Sequence, residues 1–105
     1  MSLSPGQSPS QYFVVLMTTT FASLDEVRRK APAQMAAHLA RSRELHADGV
    51  LLMAGAFLDQ QDQPVQTMGV LATREAAEDY ARHDPFVEAG MVAEWAVRVW
   101  ANMFA

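Results

Sequence analysis

The 105-residue chain contains no cysteine, and its five glycines are scattered. Without a thiol, disulfide frameworks, thiolate nucleophiles and cysteine-ligated zinc or iron–sulfur centres are excluded. The glycines form no phosphate-cradling loop, which argues against a nucleotide site. No apolar run approaches the roughly 18 residues of a membrane span. A reducing compartment suits such a chain, and we expect the cytoplasm.

Positive charge is also scarce, with eight Lys and Arg residues against twelve Asp and Glu residues and a net charge of −4. Because phosphate-backbone binding needs clustered cations, we do not expect a nucleic-acid partner. The three histidines lack the HxH or HExxH spacing of metal sites, and no Ser lies in a GxSxG context. We therefore expect neither a metal nor a cofactor.

Residues 1–10 are rich in Ser, Pro, Gln and Gly and lack the basic and apolar regions of a signal peptide. We interpret them as a flexible leader, part of which could be left by cloning. The remaining residues, 11–105, are enough for one domain and not for two.

Hydrophobic periodicity and capping signals predict the order β-α-β-β-α-β. The strands are expected at 11–18, 50–57, 65–73 and 92–103, and the helices at 24–30, from Pro32 to Gly49, and at 74–83. Ser23 and Thr73 are the predicted N-caps of the first and last of these helices. This order is typical of a ferredoxin-like α+β fold, in which an antiparallel sheet carries its helices on one face.

The first strand is apolar on both alternating faces, with Tyr12, Val14 and Leu16 on one side and Phe13, Val15 and Met17 on the other. Because the helices can cover only one face, the other needs a different cover. We expect a homodimer in which the sheets of two copies meet. A cavity is expected between sheet and helices or near that interface.

His38 is the first candidate for chemistry. On the long helix it shares an apolar stripe with Met35, Leu39, Ser42, Leu45 and His46. A histidine there is either a satisfied core residue or a general acid or base, since imidazole titrates near neutrality. His46 and His83 lie near helix ends, and we interpret both as structural.

Asp84 also has two interpretations. Proline disfavours helical backbone before it, so Asp84 ends one helix and can N-cap a single turn that starts at Pro85 and closes at Gly90. The same carboxylate could instead point into a cavity and orient an imidazole. Separation along the chain does not show whether Asp84 and His38 meet.

Three stretches carry a resemblance to a known family: "HLARSRELHADGVLLMAGAF", "TREAAEDY" and "DPFVEAGMV". Over roughly residues 11–101 the chain resembles the YCII-related (YciI-like) proteins. The resemblance implies a dimeric α+β barrel with an active-site His–Asp pair, here His38 and Asp84. One relative is a dehydrochlorinase of a chlorinated hydroxyhydroquinone, and wider kin include muconolactone isomerases and cofactor-free monooxygenases. Residues 19–31 depart from the family's leaner loop and could reshape the pocket mouth.

These observations favour a cofactor-independent enzyme that eliminates from, or isomerises, a small phenolic or lactone-type metabolite. His38 would move the proton and Asp84 would hold the imidazole. The predicted substrate-binding residues are Gly55, through nearby backbone N–H groups, and Phe86, Arg98 and Trp100. The alternatives are a non-catalytic, dimeric module that binds a small ligand and a purely structural dimer.

Overall fold

The computed structural model describes residues 11–59 and 62–104. The predicted leader, residues 1–10, lies outside the described residues. The elements in chain order are β1 (Gln11–Thr19), α1 (Leu24–Lys30), α2 (Pro32–Ala47), β2 (Leu51–Ala56), β3 (Gln66–Leu71), α3 (Arg74–Arg82), α4 (Pro85–Glu88) and β4 (Val92–Ala101). This order confirms the predicted β-α-β-β-α-β arrangement. Each of its two helical segments consists of a shorter and a longer helix.

The four strands form one open sheet in the order β2-β3-β1-β4, and every neighbouring pair is antiparallel. Val15 in the centre of β1 lies opposite Gly69 on one side and Val97 on the other. β2 and β3, which follow each other in the chain, pair antiparallel as a hairpin. The ferredoxin-like α+β fold class is confirmed as well.

The core lies between the sheet and α3. Side chains alternate along β1, so that Val15 and Met17 point towards the helices. They pack in a buried cluster with Leu51, Leu71, Ala77, Tyr80 and Ala81. Full burial of a Val or Leu side chain contributes roughly 1.5–3 kcal/mol, so these residues hold α3 against the sheet.

Helix ends follow the signals in the sequence. The Ser23 hydroxyl accepts a hydrogen bond from the Glu26 N–H at 3.0 Å, and the Thr73 hydroxyl accepts one from the Ala76 N–H at 3.1 Å. Each cap contributes about 1 kcal/mol. After α2 the chain reverses at Gly49, whose φ of 77° is easily adopted only by glycine.

Helix α2 stands away from the sheet. None of its residues is buried, and Leu39, in the middle of the predicted apolar stripe, is 41% exposed. Below its N-terminal half, a second apolar cluster of Phe21, Val27, Ala31 and Phe86 joins α1 to α4. The separation leaves a cavity between α2 and the sheet, where the sequence predicted one.

The other face of the sheet carries no helix. Tyr12, Leu16, Met68 and Trp100 lie on this face, as the alternation along the strands predicted. Trp100 is 52% exposed. Within the described part of the chain, no helix has the length and hydropathy that crossing a membrane would require.

The register of the sheet shifts at two places. The pairing of β2 with β3 shifts between Leu51 and Met53, and that of β1 with β4 shifts between Thr18 and Thr19. Gly55 itself pairs regularly with Met68. A Cβ atom built at Gly55 would meet no atom within 4 Å, so no close approach within the chain requires glycine there.

Candidate active site

Asp84 is fixed by its place between two helices. Pro85 follows it, and Asp84 adopts extended backbone with φ −64° and ψ 134°. One carboxylate oxygen, Oδ2, accepts a hydrogen bond from the Phe86 N–H at 2.9 Å. This contact confirms the capping interpretation. The side chain is only 1% exposed, and its other oxygen, Oδ1, is left for another partner.

That partner is His38. Its Nδ1 atom lies 2.5 Å from Asp84 Oδ1, although 46 positions separate the two residues. An ionised carboxylate can only accept hydrogen bonds, so with Asp84 in that form the contact assigns the proton to Nδ1, which donates it. The lone pair of the neutral ring is then on Nε2. Both interpretations of Asp84 therefore hold at once, because each carboxylate oxygen has its own donor.

Aromatic packing holds the imidazole from the side. The ring centroids of His38 and Phe86 are 5.4 Å apart at an interplanar angle of 50°, and Phe21 meets Phe86 edge-on at 6.2 Å. Phe86 thus joins the His38 ring to the apolar cluster under α1. The His38 side chain remains 20% exposed, which leaves it accessible to a ligand.

The cavity beside His38 has a volume of about 380 Å³. Small-molecule sites typically occupy about 300–1,000 Å³, are mainly apolar, and contain a few placed polar groups. The apolar lining includes Met17, Phe21, Val27, Met35, Leu39, Phe86 and Val92, and the polar lining includes Thr19, Arg28, His38, Ser42, Thr67, Tyr80 and Asp84. The cavity therefore suits a small, largely apolar molecule with polar substituents.

Tyr80 contributes a protonated phenol. Burial raises the pKa of this hydroxyl above its ordinary value and outweighs the lowering effect of the Ser42 hydroxyl. The charges of Asp84, which raises the pKa, and of Arg41, which lowers it, have smaller effects. Arg41 also holds the residue in place, since its Nη1 donates to the Tyr80 carbonyl oxygen at 2.9 Å and its guanidinium lies 5.5 Å from the ring centroid. The phenol is thus a fixed donor at neutral pH.

The predicted substrate-binding residues divide into two pairs. Phe86 and Gly55 both line the cavity with His38. Arg98 and Trp100 do not, which corrects their placement beside His38. They follow the alternation along β4 onto the opposite face, where Arg98 is paired with Val14 and the Trp100 ring lies 6.3 Å from that of Tyr12.

Several polar residues of the cavity lining were not proposed as site residues from the sequence: Thr19, Arg28, Ser42, Thr67 and Tyr80. Ser42 lies one helical turn after His38 on the same stripe, which was the available signal. His46 and His83 lie outside this cavity: His46 Nδ1 contacts the Leu51 carbonyl oxygen at 2.8 Å, and His83 is exposed.

Residues 11–59 and 62–104 contain no group of three or more His, Cys, Asp or Glu side chains arranged to hold a metal ion. The His38–Asp84 pair supplies two such side chains, and Asp84 already uses both oxygens within the protein.

An antiparallel sheet with its helices on one face, and with a contacting His38–Asp84 pair beside the cavity between sheet and helices, defines a ferredoxin-like α+β protein. The YCII-related domain matches residues 12–101, so the chain belongs to the YCII-related family. A Haemophilus influenzae protein that is itself uncharacterised is 39% identical over 75 residues, which are 64% of this chain and 76% of that protein.

Two solved structures share the fold. One is the 5-chloro-2-hydroxyhydroquinone dehydrochlorinase TftG from Burkholderia phenoliruptrix AC1100, in complex with 2,5-dihydroxybenzoquinone. It has a TM-score of 0.60 and 21% identity, and the match covers 87% of this chain and 94% of that one. The other is Rv0793 from Mycobacterium tuberculosis, with a TM-score of 0.51 and 11% identity over 90% and 96% of the two chains. At these identities the likeness concerns the fold.

Proposed function

We propose that the chain is a cofactor-independent enzyme in which His38 and Asp84 transfer a proton to and from a small phenolic or lactone-type metabolite. The observation that carries the proposal is the 2.5 Å contact of His38 Nδ1 with a carboxylate that is 1% exposed. A buried carboxylate at Nδ1 fixes the ring in one tautomer and stabilises the imidazolium that forms when Nε2 accepts a proton.

The proposed reaction begins with proton removal. His38 Nε2 takes a proton from an acidic hydroxyl or carbon of the substrate, and the electron pair remains on the substrate. That pair can expel a leaving group such as chloride, which is an elimination, or accept the proton at another atom, which is an isomerisation. Positioned acid–base groups of this kind contribute about 10²–10⁴-fold in rate. The dehydrochlorinase TftG shares the fold, which makes a chlorinated hydroxyhydroquinone the first substrate to test.

The same mainly apolar cavity also suits the alternative, a module that binds a small ligand without converting it. The two functions differ in what His38 does. Chloride release and ultraviolet spectra should be followed for a panel that contains 5-chloro-2-hydroxyhydroquinone, other chlorinated and unchlorinated hydroquinones, and lactones.

The enzyme hypothesis expects turnover of at least one compound, and a loss of about 10²-fold or more in His38→Gln. His83→Gln is the matched control, because His83 is exposed and outside the cavity. Binding of a panel compound without conversion by the unaltered protein supports the binding module. Turnover that His38→Gln retains contradicts the mechanism.

We also propose that two copies associate through the helix-free face of the sheet. Tyr12, Leu16, Met68 and Trp100 place large apolar side chains on that face, and contact with a second copy would remove them from water. Leu16→Glu should give a monomer in analytical ultracentrifugation. Leu58→Glu, at a residue that is 82% exposed, should leave the mass unchanged. A monomeric unaltered protein would contradict the proposal.

A further inference from the structure

We infer that the hydroxyls of Ser42 and Tyr80 form a second polar subsite in the cavity, which binds an oxygen substituent of a ring whose other end lies at His38. This inference rests on the proposed function, because it assigns a substrate class to the same cavity: small planar rings with oxygens at opposite ends.

The first observation is an unsatisfied buried hydroxyl. Ser42 Oγ is shielded from solvent and has no hydrogen-bond partner of acceptable geometry among the described residues. A buried polar group without a hydrogen bond is costly, and folded proteins usually supply a partner for such a group. Ser42 lines the cavity, so a ligand can be that partner.

The second observation is the neighbouring phenol. Tyr80 lines the same cavity as Ser42. The Ser42 hydroxyl is close enough to lower the pKa of the phenol, although the two groups do not meet in a well-formed hydrogen bond. Burial and the charge of Asp84 outweigh that effect, so the phenol keeps its proton. A protonated phenol donates, and a serine hydroxyl both donates and accepts. Together they can bind a carbonyl or a hydroxyl oxygen.

The third observation is the fixed position of both groups relative to His38. Ser42 follows His38 by four residues on α2, which is one turn and about 6 Å along the helix axis. The Tyr80 ring packs closely over Gly69, where a Cβ atom would lie only 3.1 Å from its Cε2. Polar groups one helical turn apart, in a cavity with mainly apolar walls, suit a small ring that has oxygens at opposite ends.

The test is a binding comparison in which ligand and protein each lose one hydroxyl. Dissociation constants of hydroquinone, phenol and 2,5-dihydroxybenzoquinone are measured by NMR titration with the unaltered protein, Ser42→Ala and Tyr80→Phe. Tyr12→Phe is the matched control, because Tyr12 lies on the opposite face of the sheet. Urea denaturation checks each variant's fold, and removal of an unsatisfied Ser42 hydroxyl should not destabilise the protein.

The unaltered protein should bind hydroquinone about three- to tenfold more tightly than phenol, the usual effect of one neutral hydrogen bond. Ser42→Ala and Tyr80→Phe should each reduce that preference, and Tyr12→Phe should retain it. An unchanged preference in both cavity variants overturns the inference, as does a failure of the unaltered protein to bind any of the three compounds.

This outcome is separate from that of the proposed function, which depends on turnover and His38. If His38→Gln abolishes turnover while the cavity variants keep the preference, the subsite fails and the enzyme hypothesis stands. If the cavity variants lose the preference while His38→Gln keeps turnover, the subsite stands and the acid–base mechanism fails.

Discussion

Asp84 has two roles that substitution can separate. One oxygen caps α4 through the Phe86 N–H, and the other holds His38. Asp84→Asn keeps a good capping oxygen and nearly the same shape, but removes the charge. Asp84→Ala removes the cap, the charge and the contact with the imidazole together.

The expected magnitudes follow from the two contacts. Loss of this N-cap leaves the buried Phe86 N–H without a partner, which costs about 1–3 kcal/mol. We therefore expect Asp84→Ala to lower the free energy of unfolding by roughly 1–3 kcal/mol. Asp84→Asn should change it by less than about 1 kcal/mol, because the cap persists.

Activity should follow a different order. Either variant leaves His38 without a negative charge at Nδ1, so the imidazolium loses its stabilisation and the ring its fixed tautomer. Both should lose about 10²–10⁴-fold in kcat on a substrate identified from the panel. Urea denaturation followed by circular dichroism gives the stabilities, and initial rates give kcat.

The result that would refute this reasoning is a parallel change in stability and activity. If Asp84→Asn unfolds as easily as Asp84→Ala, the carboxylate's charge matters to the fold rather than to the site. If Asp84→Asn retains full kcat, Asp84 acts only as a helix cap and its charge has no role in the reaction.

Two further predictions concern the packing around Tyr80. Gly69→Ala should lower the free energy of unfolding by about 1–3 kcal/mol in urea denaturation, because its Cβ would lie 3.1 Å from the buried Tyr80 ring. Gly55→Ala, where nothing lies within 4 Å, should cost less than about 0.5 kcal/mol, and an equal loss in both would contradict the packing argument. Tyr80 should also make stability fall at alkaline pH: its folded pKa is raised above 10.0, so its contribution is complete below that pH and is lost as pH rises through the folded pKa. Tyr80→Phe should remove this part of the stability loss at alkaline pH, measured by urea denaturation across the pH range. An identical pH dependence of stability in the two proteins would contradict the role given to Tyr80.

Local signals accounted for most of the fold. Ser23, Thr73 and the Asp84–Pro85 pair mark helix starts by hydrogen bonds within three residues, so they can be recognised in the sequence. Strand periodicity likewise separated the two faces of β1. These features depend on neighbours in the chain, which the sequence shows directly.

The site was less predictable because it depends on how far elements stand apart. Both His38 and Asp84 had adequate structural explanations in the sequence. Only the fold shows that His38 Nδ1 and Asp84 Oδ1 lie 2.5 Å apart, although the two residues are 46 positions apart in the chain. Arg98 and Trp100 were placed in the pocket for their chemistry, although alternation along β4 already put them on the face of Tyr12 and Val14. A cavity between sheet and helices was expected, but its size and the residues that line it depend on how α2 packs, which local sequence patterns do not show.

The most direct test of the His38–Asp84 pair needs no substrate. Nitrogen-15 NMR of the His38 ring, at a pH where the ring is neutral, reports which nitrogen carries the proton. With Asp84 as the acceptor, the proton should be on Nδ1 and the lone pair on Nε2, and Asp84→Ala should shift the population towards the other tautomer. A neutral ring with its proton on Nε2 in the unaltered protein would contradict the account.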